Sequence, residues 1–404
     1  MELETKLMLE RVFRNVEAGG FERKGIELGY SFTKAANTGL ELSVDDCFRL
    51  GHQQRLMENR IREERLVTRF EDKETGMGLF LGLDTLGNGI VFGGVRLLPF
   101  GNTDEALRDA LRLGEAMTHK LSMIYEPYGG GKLVATAPES GKGEAVMFRI
   151  GEFVERLKGL LRIAIDYGFD SADALKIRER TQFIDGFDGP GSLGASGVPT
   201  AIGAFQGMGT LLEEAFGSPK ISGRSFAIQG AGSVGNKLAE LLLEDGGRIF
   251  VSDTNEERLK PFLGIKNVTI VDPADLLFLD ADVLCPSGPA CVFNPATIPK
   301  LKSRAIAGVA NCVLEDETRD DGMLKKRGIL FAPDFVVNAG GVTQGVEEVF
   351  KGAKDLGSTI DRLPIIPQNL RAVFKKAREE QKGTMAAAKE MAVARRAGMM
   401  RAKI

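Results

Sequence analysis

The sequence predicts an α/β protein of two domains, the second built on a doubly wound parallel sheet. Two observations carry this expectation. From about residue 65, apolar segments with strand-like alternation are interleaved with helical periodicity. From about residue 224, short apolar strands alternate with helices again, and the first runs directly into a glycine-rich turn. A length of 404 residues suits two domains and one further small element.

Residues 1–64 read as an N-terminal helical extension. Leu7, Val12, Phe13 and Val16 form a partial apolar stripe, a glycine-rich loop spans Gly19–Gly29, and Ser43 caps a helix running toward Glu64. The extension is expected to pack on the neighbouring domain or to contact another subunit. Residues 65–198 read as an α/β domain with strands at Leu66–Phe70, Gly78–Leu83 and Ile90–Leu97. Thr103 then caps a helix to about Met123, whose buried face is Ala106, Leu107, Ala110, Leu111, Leu113, Met117 and Leu121. A strand from Lys132, a helix over Glu144–Leu157 and the strand Leu161–Ile165 complete it. Residues 199–377 read as the second domain. It opens with a helix from Thr200 to Phe216 and continues through strands at Arg224–Gln229, Arg248–Ser252, Val268–Val271, Val283–Leu284, Ala305–Val309 and Leu330–Ala332. An alanine-rich helix over Ala386–Ala394, within a C-terminal segment of about 378–404, is expected to return to the first domain.

Composition narrows the function classes. Charged residues are 27 % with a formal net charge of −3, so no electrostatic argument favours nucleic acid or an anionic membrane as partner. No apolar run approaches a membrane span. The acidic start, Met1-Glu2-Leu3-Glu4, lacks a signal-peptide pattern, and Cys47, Cys285, Cys291 and Cys312 read as free thiols; a cytoplasmic location is expected. The cysteines lack zinc spacing and the only histidines are His52 and His119, so no metal site is expected.

Three stretches carry chemistry. In Gly129-Gly130-Gly131-Lys132 the glycines let backbone approach something closely and aim the lysine. That lysine precedes the apolar run Leu133–Thr136. It is either the exposed end of a tight turn or a lysine whose pKa is pushed toward neutrality for acid–base work. Asp166 closes an apolar strand, either as a helix cap or as a carboxylate at the mouth of the sheet. The turn Gly230-Ala231-Gly232-Ser233-Val234-Gly235 follows a strand, opens a helix and precedes a second strand ending in Asp253. That context predicts a dinucleotide site. Its glycines admit the pyrophosphate at a helix N-terminus, and Asp253 meets the ribose hydroxyls while repelling a 2′-phosphate, which selects NAD.

These motifs, with Gly93-Gly94-Val95-Arg96, Met117-Thr118-His119-Lys120, Thr200-Ala201, Ala310-Asn311 and Pro333–Val342, resemble the glutamate, leucine, phenylalanine and valine dehydrogenase superfamily, most nearly its leucine/phenylalanine branch. The similarity runs from about Arg65 to Arg396. It implies a substrate-binding domain and a Rossmann NAD domain with a cleft between them, and reversible oxidative deamination of an L-amino acid. By resemblance, Lys120 holds the substrate carboxylate with help from Gly93 and Gly94, Lys132 acts on the attacking water, and Asp166 moves protons at the amino nitrogen. Met117 and Val342 also fall in the substrate site, and Thr200, Asn311 and Asn338 near the nicotinamide end of NAD. Family members are homo-oligomers acting on a small-molecule substrate. A silent homologue serving as a dinucleotide or amino-acid sensor, or as an assembly subunit, is the alternative class. Completeness of Lys120, Lys132 and Asp166 favours the enzyme.

The resemblance also bears on the side chain accepted. Glutamate-specific members carry a lysine at the position of Phe92 and a serine at that of Gly345. With neither here, a γ-carboxylate would be buried unpaired. Phe92 as an aromatic wall, Gly345 and Ala164 as sources of room, predict a leucine-like or aromatic substrate.

Overall fold

The computed structural model describes residues 2–27, 66–86, 89–99 and 101–401. The helix expected over Ser43–Glu64, together with Cys47, His52 and the Gly87–Asn88 turn, lies outside the described residues. The chain divides into two compact units, Met1–Leu121 with Pro127–Ala195, and Ser122–Glu126 with Ser196–Ile404. No described helix is long and apolar enough to cross a membrane.

The first unit comprises α1 (Glu2–Glu17), β1 (Phe21–Glu27), β2 (Leu66–Asp72), β3 (Gly78–Leu83), β4 (Val91–Leu98), α2 (Thr103–Met123), β5 (Gly129–Thr136), α3 (Glu144–Arg156), β6 (Leu161–Ile165), α4 (Ser171–Arg178) and β7 (Ile184–Asp185). Its sheet has the order β1-β2-β3-β5-β4-β6-β7. The β1-β2-β3-β5 side pairs antiparallel, and β5, β4, β6 and β7 run parallel. Strand alternation sorts the side chains. Val91, Val95, Leu97, Leu133, Ala135, Leu161 and Ile163 enter a core with Ile150, Phe153 and Val154 of α3 and Phe13 and Val16 of α1. On the opposite face Phe80, Leu98 and Val134 meet Ala106 and Ala110 of α2.

The N-terminal extension is corrected in one respect. Where a glycine-rich loop is expected, Phe21–Glu27 forms a strand on the edge of the sheet. Gly20, at φ +87°, makes the turn into it, and a register shift between Arg23 and Gly25 absorbs an extra residue, so the glycines break the alternation that marks a strand. The described part of the extension packs into the first unit, in keeping with the expectation that it packs on the neighbouring domain. Phe13 and Phe21 are fully buried and join Phe70 and Phe153 in edge-to-face contacts, and each such burial is worth roughly 1.5–3 kcal/mol. Arg149 fixes the segment, donating to Asp72 and to the Gly19 carbonyl beneath the Phe21 ring.

The second unit comprises α5 (Gly197–Phe216), β8 (Ser225–Gln229), α6 (Ser233–Glu244), β9 (Arg248–Ser252), β10 (Val268–Ile270), α7 (Pro273–Leu276), β11 (Val283–Pro286), β12 (Ala305–Ile306), α8 (Glu317–Lys326), β13 (Leu330–Phe331), α9 (Asp334–Val337), α10 (Gly340–Lys351), α11 (Gly357–Arg362), α12 (Ile365–Glu379) and α13 (Thr384–Arg401). Its six strands are all parallel, in the order β10-β9-β8-β11-β12-β13. The order reverses between β8 and β11, the crevice at which doubly wound sheets bind ligands.

The expectation that the C-terminal segment returns to the first domain is also corrected. Helix α13 belongs to the second unit. Asp321 of α8 is buried and accepts the amides of Met385 and Ala386 at its first turn, Lys389 pairs with Glu317, and Arg395 donates to Asn369 of α12. Within the alanine-rich run, Ala387, Ala388 and Ala392 are buried, because small side chains allow close helix packing.

Candidate active site

The glycine triplet at the head of β5 is packed against the protein's own backbone. A Cβ on Gly129 would strike the Thr85 carbonyl, one on Gly130 the Thr118 amide, and one on Gly131 the Val91 side chain. Gly82 on β3 likewise gives way to the Ala110 carbonyl. These absences let α2 lie directly on the sheet. The close approach expected at the triplet is therefore to α2 and the β3–β4 turn.

Strand register then gathers the chemistry on the α2 face. Gly94 pairs with Ala164, and Phe92 with Gly130 and Arg162. By the same alternation Phe92, Gly94 and Arg96 of β4, Lys132 of β5, and Ala164 of β6, with Asp166 just beyond it, face one way. A side chain at Gly94 would meet the Lys132 ammonium and the Asp166 Cβ, so its absence leaves room for both.

Lys132 Nζ donates to Asp166 Oδ2, which Arg96 Nη2 also approaches at 3.4 Å. Asp166 Oδ1 accepts the Tyr167 amide at 2.7 Å. The following helix, α4, is capped by Asp170 in a capping box with Asp173, so Asp166 is free of that duty. Of the readings open in the sequence, the carboxylate at the mouth of the sheet is the one observed. Burial lowers the Lys132 pKa below the ordinary lysine value; Asp166 opposes this and Arg96 adds to it. Burial raises the Asp166 carboxyl, but Lys132, then Arg96 and the Tyr167 amide, outweigh it and hold it well below the usual carboxylate range. The pair is an ionised carboxylate beside a lysine that gives up its proton below the ordinary lysine value.

Sequence reasoning named Arg96 only within a motif, with no role, and passed over Asp109 and Arg112. Arg96 Nη1 donates to Asp109 Oδ2 at 2.6 Å, and Arg112 Nη2 lies 3.5 Å from Asp109 Oδ1. The available signal was an arginine inside an apolar strand and an aspartate on the buried stripe of α2.

The other expected substrate residues divide between the units. Lys120 and His119 are buried near the C-terminal end of α2, and Met117 is half-buried one turn earlier. Phe92 is buried with its ring 6.0 Å from that of Tyr128, and Ala164 is half-buried beside Gly94. Val342 and Gly345 stand on α10 of the second unit.

In the second unit the glycine turn leaves β8 at its carboxyl end. Gly230 has φ +102°, and a Cβ there would press on the Ser287 carbonyl across the switch point. A Cβ on Gly235 would strike the Gly230 carbonyl, whereas Gly232 faces open space. Ser233 and Val234 begin α6, so its first amides are presented at that opening. Asp253 accepts the Ala231 and Asn255 amides at 2.8 Å each, and Arg258 Nη1 stands 3.7 Å from it. Asn338 donates to the Val309 and Ala310 carbonyls and to Asn311 Oδ1, while its own Oδ1 is buried without a hydrogen-bond partner among the described residues. Thr200 bonds the Ser196 carbonyl in the first turns of α5. An open turn at a helix N-terminus, a carboxylate at the second strand and an unused buried acceptor fit a dinucleotide. Among the described residues no group of side chains could hold a metal ion.

A family profile described as Glutamate/Leucine/Phenylalanine/Valine dehydrogenase matches residues 251–403. The phenylalanine dehydrogenase of Lysinibacillus sphaericus is 38 % identical over 70 % of this chain and 76 % of its own. The leucine dehydrogenase of Geobacillus stearothermophilus is 33 % identical over 82 % of this chain and 90 % of its own. Among solved structures, L-tryptophan dehydrogenase from Nostoc punctiforme superimposes with a TM-score of 0.66 at 31 % identity, covering 81 % of this chain and 94 % of that one.

Proposed function

Because the chain belongs to the glutamate/leucine/phenylalanine/valine dehydrogenase family, and is thus an amino-acid dehydrogenase, we propose that it catalyses the NAD-dependent, reversible oxidative deamination of an apolar L-amino acid, leucine-like or aromatic, to the 2-oxo acid and ammonia. The observation that carries this reading is the Lys132–Asp166 pair on one sheet face with Phe92. Lys120 binds the substrate carboxylate, with the amides of Gly93 and Gly94. Asp166 takes a proton from the substrate ammonium, leaving the amine lone pair to drive loss of the α-hydrogen as hydride. Lys132, as the free amine, then removes a proton from the water that attacks the iminium carbon. Lys132 passes the proton it has taken to solvent; Asp166 then returns its own to the nitrogen, and as the C–N bond breaks and ammonia leaves, the carbinolamine hydroxyl gives its proton to Lys132 and closes to the oxo group. A nicotinamide dinucleotide held by Gly230, Gly232, Ser233, Val234, Gly235 and Asp253, with Thr200, Asn311 and Asn338 toward its nicotinamide, supplies the hydride acceptor. We also propose a cytoplasmic homo-oligomer; Cys285, Cys291 and Cys312 carry thiols rather than disulfides, which suits a reducing compartment.

An apolar substrate follows from Phe92. Its strand neighbour Arg162 is paired with Asp185 through Nε and Nη2, at 2.9 and 2.8 Å. A glutamate side chain would bring a carboxylate to an aromatic wall beside a cation already paired, at a cost of several kcal/mol. Relatives acting on phenylalanine, leucine and tryptophan support the same side-chain class. Initial rates with NAD⁺ and leucine, phenylalanine, tryptophan, valine or glutamate test it. One of the first three is expected to exceed glutamate by at least ~10²-fold in kcat/KM; glutamate as best substrate would overturn the pocket argument, and valine only its size.

The cofactor choice rests on Asp253. NAD⁺ is expected to exceed NADP⁺ by on the order of 10²-fold in kcat/KM, since a 2′-phosphate meets a fixed carboxylate. Arg258 moderates the repulsion, so Asp253→Ser is expected to narrow the preference sharply. An enzyme that uses NADP⁺ better from the start contradicts this assignment.

A further inference from the structure

We propose that Arg96 is a positioning residue for the proposed proton carrier: anchored on the buried Asp109 of α2, it holds the Asp166 carboxylate in register with Lys132. The inference deepens the dehydrogenase reading and rests on it.

Arg96 interrupts an otherwise apolar strand, between buried Val95 and Leu97, and its side chain is only 13 % exposed. A guanidinium there is costly to desolvate and needs compensating partners. Two carboxylates among the described residues meet it, at unequal distances. The bond to Asp109 is short, at 2.6 Å, and Asp109 is steadied from its other oxygen by Arg112. The bond to Asp166 is long, at 3.4 Å. This inequality makes Arg96 a fixed donor tied to α2, toward which Asp166 leans without being locked. Asp166 needs that freedom, because it must pass a proton to and from substrate. The charged groups around it are Lys132 on β5 and Arg96 on β4, with Asp109 and Arg112 of α2 behind Arg96.

A simple ion pair stitching α2 to β4 predicts different behaviour from a positioning role, and three variants separate them. Arg96→Gln is expected to lose about 10²-fold in kcat with little change in KM, as misplacement of a reacting group does. Its pH profile for deamination should move alkaline, because a cation favouring neutral Lys132 and ionised Asp166 is gone. Arg96→Lys keeps the charge but cannot bridge two carboxylates, so the profile should return toward wild type while kcat stays low. Asp109→Asn removes the anchor without touching Asp166 and should lower kcat while dinucleotide affinity holds.

A readout independent of turnover closes the test. In enzyme labelled with [4-¹³C]aspartate, the Asp166 signal, identified by its loss in Asp166→Asn, should titrate at higher pH in Arg96→Gln than in wild type. An unmoved titration, or a kcat loss with an unshifted profile and a lowered melting temperature, overturns the proposal in favour of a structural stitch. If wild type oxidises no amino acid, the dehydrogenase reading falls, and the titration alone still decides whether Arg96 governs Asp166.

Discussion

Replacing Lys132 with alanine is expected to lower kcat by ~10²–10⁴-fold or more, the range for loss of a positioned acid–base group, with NAD⁺ affinity nearly unchanged. The reason is the environment built around its amine. Lys132 is buried, lies in the space left by Gly94, and faces Asp166 with Arg96 beyond. Burial makes the ammonium form costly, so the proton leaves below the ordinary value of 10.5. Deamination requires the free amine, so its kcat/KM should rise with pH along a limb below that value. Reductive amination requires the ammonium to polarise the oxo group, and should fall along the same limb. Rates in both directions across pH check this. A folded Lys132→Ala enzyme with wild-type kcat would remove Lys132 from the chemistry.

Asp166→Asn is expected to lose activity over a similar range, ~10²–10⁴-fold, because an amide keeps the shape and cannot take up and return a proton. The loss should be larger than removal of an ion pair alone predicts. Stability should also fall, since Lys132 would be left buried without its counter-charge, a change that typically costs about 3–5 kcal/mol when a buried pair is broken. In this site Lys132 can shed its proton instead, which limits the loss. Thermal unfolding and single-turnover kinetics on one preparation separate the two effects. A rate within about tenfold of wild type would reduce Asp166 to a structural counter-ion.

Much of the fold could be read in local pattern. The strands over Leu66–Asp72, Gly78–Leu83 and Val91–Leu98, and the helix from Thr103, follow local pattern, the second and third strands as apolar runs buried on both faces. The six-strand unit declares itself through the turn after Gln229, where glycine spacing, helix start and Asp253 each answer a different steric or electrostatic need. Phe21–Glu27 does not declare itself, because its glycines and register shift erase the alternation.

By itself, the sequence determined which segments become most of the strands and helices, that a glycine turn opens α6, and that Lys132 and Asp166 stand at the ends of apolar runs. Only the tertiary structure decided who meets whom. It set Asp166 against Lys132 and gave the cap of α4 to Asp170. It spent the close approach at Gly129–Gly131 on α2, tied Arg96 to Asp109, and took α13 into the second unit. Periodicity is a property of neighbours in the chain and survives in one dimension. A glycine records only that something must come close, and a buried charge only that a partner exists. The strand order β3-β5-β4-β6, which no local pattern encodes, names the partner.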